Sequence, residues 1–226
     1  MTRVAIIGTG DLAYGLAHLY SINNTSSSSH ALEVTKPNLQ KEGFFHDTDV
    51  PLTDFDDALV RADILIFAIP SVALRDFVVA HERKLMGKIL VDVTNSYKPN
   101  QDLSSALEEI SSTDSDASDG FDKSPSSKAG FRWVKAFNDI GAVDILLRKP
   151  GAKTKIASKM CSNSPEALET VKSFAETSMG LDIKAVPIEQ YEVIANDQNS
   201  LGTEWMTATW TILGVFALTM IYNIMR

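Results

Sequence analysis

The sequence predicts an α/β protein with a doubly wound, mainly parallel sheet and one hydrophobic helix appended at its C-terminus. Three observations predict it. Short apolar, β-branched runs alternate with helical segments through most of the 226 residues. A glycine-rich turn joins the first such run to the first helix. The 21 residues before Arg226 carry no charge. Strand–helix alternation needs crossover connections, which set neighbouring strands parallel and place helices on both faces of the sheet.

Taken in order, Arg3-Val4-Ala5-Ile6-Ile7 ends at Gly8 and reads as a buried strand. Gly8-Thr9-Gly10 is a turn, and Asp11 to Tyr20 has Leu12, Leu16 and Leu19 at helical spacing. Residues 23–29 are a polar loop and 30–35 a second strand. Thr53 or Asp54 is placed to cap a short helix reaching Arg61. The continuous apolar run Ile64 to Ile69 has the pattern of a central strand covered on both faces. Pro70 stops it, and Ser71 can cap a helix through Lys84. Residues 88–93 form another buried strand, with a helix over 103–110. The Ser- and Asp-rich stretch 111–130 reads as a mobile surface loop. Strands are expected at 132–137 and 154–160. Ser164-Pro165 then opens a helix that ends near Gly180, followed by a strand at 181–186 and a helix at 188–195. Residues 1–196 are therefore assigned to the globular domain, 197–204 to a linker and 205–225 to the hydrophobic helix.

Composition removes several classes of function. The net charge is −8 with no basic stripe, so a nucleic-acid partner is not expected. Cys161 is the only cysteine, which precludes an internal disulfide, and four scattered histidines draw no zinc site. The first strand begins without a basic leader or cleavage site, so the globular part is expected in the cytosol. No nucleophile–base pair and no paired carboxylates stand in a motif. That pattern argues against hydrolysis and for chemistry carried by a cofactor.

The turn supplies the cofactor class. Gly8-Thr9-Gly10-Asp11-Leu12-Ala13 fits G-x-G-x-x-[G/A], and it follows a strand and opens a helix as that motif requires. Gly8 allows the tight turn, Gly10 lets a diphosphate approach the backbone, and Ala13 lets the helix pack close to the sheet. The free amides and positive dipole end of the helix then hold the phosphates. This is the Rossmann-type arrangement for a nicotinamide dinucleotide. Near the end of the second strand, Glu33 suits a ribose 2′-hydroxyl, whereas Thr35 and Lys36 suit a 2′-phosphate. Spacing alone leaves NAD and NADP both open. Beyond the switch point, the strand ends Ile69-Pro70-Ser71, Asp92-Val93-Thr94-Asn95 and Ala136-Phe137-Asn138 lie where such sheets bind ligands. Thr94, Asn95 and Asn138 offer neutral donors and acceptors, although Asn and Thr also serve simply as turn and cap residues.

These residues resemble a known family. Gly8-Thr9-Gly10-Asp11, Ala62 to Ile69, Gly87 to Asn95, Val134-Lys135-Ala136-Phe137-Asn138 and Trp205 to Arg226 match the cytosolic reductase domain of the STEAP metalloreductases with the entry into their first membrane helix. That domain is similar to the prokaryotic deazaflavin:NADP oxidoreductases. The resemblance implies NADPH bound across Gly8, Thr9, Gly10, Asp11 and Leu12. Thr35 and Lys36 would replace the family's Ser-Arg pair on the 2′-phosphate, and Ile69, Pro70, Thr94, Asn95, Phe137 and Asn138 would surround the nicotinamide. It further implies hydride transfer to a flavin (FAD), then electron flow through membrane haem to ferric iron or cupric copper. No catalytic residue and no metal ligand is assigned in this chain. Two departures stand out. Lys36 lacks the bidentate fork of arginine, and the segment 205–225 contains no histidine, so haem is not expected here.

That segment is long enough to span a bilayer, with Trp205, Trp210 and Tyr222 placed as interfacial aromatics. The alternative is a buried dimerisation helix. Three functions follow from the sequence. The first is an NADPH-dependent oxidoreductase module that feeds a flavin at a membrane, single-pass and with its globular domain cytosolic. It would work as a homo-oligomer or with a haem-bearing partner. The second is a membrane-tethered dinucleotide sensor or partner subunit without turnover. The third is a soluble, dimeric reductase of a small imine or deazaflavin.

Overall fold

A computed structural model describes residues 1–23, 29–36, 45, 47–95, 102–113, 131–152 and 154–190. The chain order is β1 (Thr2–Ile7), α1 (Asp11–Asn23), β2 (His30–Thr35), β3 (Leu52–Thr53), α2 (Phe55–Arg61), β4 (Ile64–Phe67) and α3 (Ser71–Leu85). It continues with β5 (Ile89–Asp92), α4 (Leu103–Thr113), β6 (Arg132–Lys135), α5 (Ala142–Leu146), β7 (Ala157–Ser162), α6 (Pro165–Ser178) and β8 (Asp182–Ala185). The sheet order is β3-β2-β1-β4-β5-β6-β7-β8. All pairs are parallel except β6 with β7. Strand order reverses between β1 and β4, where the chain winds first one way and then the other.

The period-2 alternation of each strand sorts its side chains into two layers. Val4, Ile6, Leu32, Val34, Ile64, Ile66, Val91 and Val134 pack against α1, α5 and α6. Ala5, Ile7, Leu65, Phe67, Leu90 and Trp133 pack against α2, α3 and α4. All four residues of β4 and all four of β5 are buried, as their unbroken apolar runs require. The α6 helix starts as its sequence predicts. The Ser164 hydroxyl accepts the Ala167 N–H at 3.3 Å, and Pro165 takes the first turn. Gly180, at φ +67°, ends it, and the Leu181 N–H turns back to the Ala175 carbonyl at 3.1 Å.

The structure differs from the sequence reading in several places. Strands β4 and β5 stop at Phe67 and Asp92, short of 69 and 93, because the chain must turn at the ligand edge. Pro70, not Ser71, is the N-cap of α3. Helix α4 runs to Thr113, three residues into the stretch read as a loop, and 114–130 lie outside the described residues. The short elements β3 and α5 are additions, and β7 lies at 157–162 rather than 154–160. A 3₁₀ turn at Ile188–Gln190 begins the expected helix at 188–195; the remainder lies outside the described residues. So do the linker 197–204 and the segment 205–225. Among the described residues, no helix is long and apolar enough to cross a membrane.

Candidate functional site

The turn after β1 is built around Gly8. Its φ is +129°, and a Cβ there would stand 2.1 Å from the Ala68 carbonyl oxygen of the neighbouring strand end. Only glycine lets β1 and β4 approach so closely and still turn. The Gly8 N–H donates to the Thr35 hydroxyl at 3.1 Å, tying the turn to the end of β2. Gly10 is the opposite case. Among the described residues, nothing lies within 4 Å of where its Cβ would be. Its carbonyl accepts the Tyr14 N–H at 3.0 Å and so opens α1. The first amides of that helix have no acceptor within it. Ala13 is fully buried against the sheet.

This opening belongs to a cleft of about 350 Å³ at the carboxyl edge of the sheet, over the switch point between β1 and β4. Gly10 to Ala13 form one wall, Ala68 to Val72 the middle, and Val93 to Asn95 the far wall. The cleft thus gathers Gly10, Asp11, Leu12, Ile69, Pro70, Thr94 and Asn95 from the sequence-predicted set. Gly8 and Thr9 sit in the turn behind it.

Thr35 and Lys36 sit at the neighbouring strand end. Thr35 is buried with its hydroxyl engaged by Gly8, while Lys36 is half exposed with Nζ 3.1 Å from Asp54 Oδ1. Glu33 points instead to the α2 face, 3.7 Å from Arg61 Nη2, and so is not at the strand end where a ribose would lie. Phe137 and Asn138 do not line the cleft. Both are buried, because the chain reverses after β6 through Phe137 in the left-handed region at φ +60° and carries its ring into the α1 layer. Such a conformation costs a non-glycine residue about 1–3 kcal/mol.

The sequence reading does not single out Ala68 and Val72, which line the cleft, or the Asp54 contact that holds Lys36. Nor does it foresee that Asp92 in β5 and Lys135 in β6, opposite charges in apolar strands, form a pair. The signal available was a charge at the same last position of two adjacent apolar runs. Burial pushes the Cys161 thiol up to about 11, which disfavours its thiolate form. Among the described residues, no group of three or more His, Cys, Asp or Glu side chains could hold a metal ion.

Comparison with known proteins agrees with this geometry. Residues 3–96 match the family model described as NADP oxidoreductase, coenzyme F420-dependent. Metalloreductase STEAP2 of Mus musculus is 26% identical over 227 residues, covering 99% of this chain and 41% of that protein. The chain spans well under half the length of the curated relatives it matches. A solved structure from Arthrobacter sp. FB24, described as an F420-dependent NADP-reductase, superposes with a TM-score of 0.61 at 18% identity, over 95% of this chain and 96% of that one. Pyrroline carboxylate reductase of Plasmodium falciparum, solved with NADP bound, gives 0.59 at 12% identity, over 92% and 66% of the two chains. The fold is thus shared with these reductase structures, and residues 3–96 match a model of NADP oxidoreductases.

Proposed function

We propose that this chain is the NADPH-binding reductase module of a flavin-linked metalloreductase system, tethered to a membrane through residues 205–225. The carrying observation is the pairing of a glycine turn open over Gly10 with a cleft that crosses the switch point. The residues fit the ligand. The amides at the start of α1 would take the diphosphate, and Lys36 the 2′-phosphate. Ile69, Pro70, Thr94 and Asn95 would enclose the nicotinamide end. When bound, NADPH supplies a hydride. The protein's part is to hold the dinucleotide extended across the sheet edge, to keep one ring face toward an acceptor, and to exclude water with the apolar side chains of Ile69, Pro70 and Val72. The alignment with a metalloreductase over 99% of the chain supports the metalloreductase reading; the flavin acceptor and the membrane-bound, haem-bearing partner are what the STEAP resemblance implies.

Purified protein mixed anaerobically with NADPH and FAD is expected to lose its reduced-nicotinamide absorbance as the flavin is bleached. Oxidation only with a deazaflavin would favour a soluble reductase like the similarly sized Arthrobacter protein. Tight binding without oxidation by either acceptor would leave a sensor or partner subunit and sink the reductase reading.

Cofactor preference has a specific determinant. A 2′-phosphate must draw Lys36 from Asp54 and tolerate the Asp54 charge, which is 68% exposed beside it. Asp54→Asn is therefore expected to raise the preference for NADPH over NADH by roughly threefold, the scale of one exposed ion pair. Paired titrations with the two dinucleotides check it, and an unchanged ratio would remove Asp54 from the 2′-phosphate site.

A further inference from the structure

Asp92 and Lys135 take no part in the phosphate cradle, yet their side chains are only 1% and 0% exposed. They are register partners at the last positions of β5 and β6. Lys135 Nζ lies 3.2 Å from Asp92 Oδ2 and also donates to the Thr94 carbonyl. Asp92 Oδ1 accepts the Thr94 N–H at 2.8 Å and the Thr94 hydroxyl at 2.7 Å, while Oδ2 accepts the Leu103 N–H at 3.2 Å. Amide, hydroxyl and carbonyl of one cleft-wall residue are thus all held by a single ion pair, which also anchors the start of α4. Burying two opposite charges carries a desolvation penalty that an apolar pair of like volume avoids, so stability alone explains it poorly.

We propose that the Asp92–Lys135 pair is a positioning device that presets Thr94 and Asn95 as a hydrogen-bonding ledge for the nicotinamide riboside half of the dinucleotide. The proposal rests on the reading that the cleft holds NADPH. In a doubly wound sheet the two halves of a dinucleotide lie on opposite sides of the switch point. The adenosine half then belongs to the β2 side, with Lys36, and the other half to the β4–β5 side, with Thr94. Because the Thr94 hydroxyl gives its proton to Asp92, what it offers a ligand is a lone pair. It therefore suits an amide N–H or a sugar hydroxyl, and not a carbonyl oxygen.

The test is Asp92→Leu/Lys135→Met, which removes both charges together and orphans neither. NADPH and adenosine 2′,5′-bisphosphate, the latter carrying only the half on the β2 side, are titrated against wild type and variant, with thermal melts to check the fold. The variant is expected to keep its bisphosphate affinity and to bind NADPH about tenfold more weakly, the loss of roughly one well-set hydrogen bond. Equal losses for both ligands, or no loss for either, would overturn the proposal. Wild type that binds neither ligand would overturn the dinucleotide reading itself, and the positioning role with it. If the double variant does not fold, Thr94→Val reads the same ratio, since it deletes the hydroxyl and leaves the pair. A bisphosphate affinity unchanged with NADPH weakened severalfold supports the ledge, and unchanged NADPH affinity rejects it.

Discussion

Gly8→Ala is expected to lower the unfolding free energy by at least about 3 kcal/mol. Two penalties act together. At φ +129° an L-residue is strained, and the new methyl carbon would meet the Ala68 carbonyl oxygen at 2.1 Å. That oxygen belongs to backbone at the end of a buried parallel strand, and β1 and β4 are joined by the ladder from Val4–Ile64 to Ile7–Phe67. Relief requires the two central strands to part or the turn to change its path. The second route breaks the Gly8–Thr35 hydrogen bond. Urea denaturation of variant and wild type measures the loss, and a difference under about 1 kcal/mol would mean that the turn deforms far more easily than this packing allows.

Gly10→Asp should do the reverse, folding as the wild type does while binding NADPH at least about a hundredfold more weakly. Among the described residues nothing lies within 4 Å of a Cβ at Gly10, so the first atom of the side chain is accommodated without a clash. A carboxylate at a helix N-terminus is moreover favourable by a few tenths of a kcal/mol to about 1 kcal/mol. The same carboxylate would stand where the diphosphate must lie, and like charges about 4 Å apart near a protein surface repel by roughly 4 kcal/mol. Titration by NADPH fluorescence, beside a thermal melt, separates the two effects. Unchanged affinity would show that the diphosphate does not lie over this turn.

The contrast between these glycines marks how far the sequence could be read. The G-x-G-x-x-A spacing between an apolar run and a helix identified the turn, and the largely apolar runs at 64–69 and 88–93 identified the buried parallel strands. Both signals are local, and so survive without knowledge of the fold. What escaped depends on strand pairing. A carboxylate in Ile89-Leu90-Val91-Asp92 and an ammonium in Arg132-Trp133-Val134-Lys135 mean little apart, and become a buried pair only once β5 and β6 are seen in register. Glu33 looked like a ribose ligand because the end of β2 could be set only to within a few residues, and two residues set a side chain back from the strand end by about 7 Å on the same face. The two-residue β3 and the five-residue α5 are too short to show any periodicity. Strand β7 runs antiparallel to β6, and the left-handed conformation just after β6 falls on Phe137, a residue type that gives no signal for it.

The hydroxyl of Thr35 reaches across from one strand end to the loop after another, and this makes two recognition tasks mechanically inseparable. Reading the sugar and seating the diphosphate share a single fastening. A redesign for a different nicotinamide coenzyme that begins at position 35 would slacken the loop as well, and weaken every dinucleotide alike. Lys36 and Asp54, whose side chains pair at the surface, are the handles that leave the fastening intact.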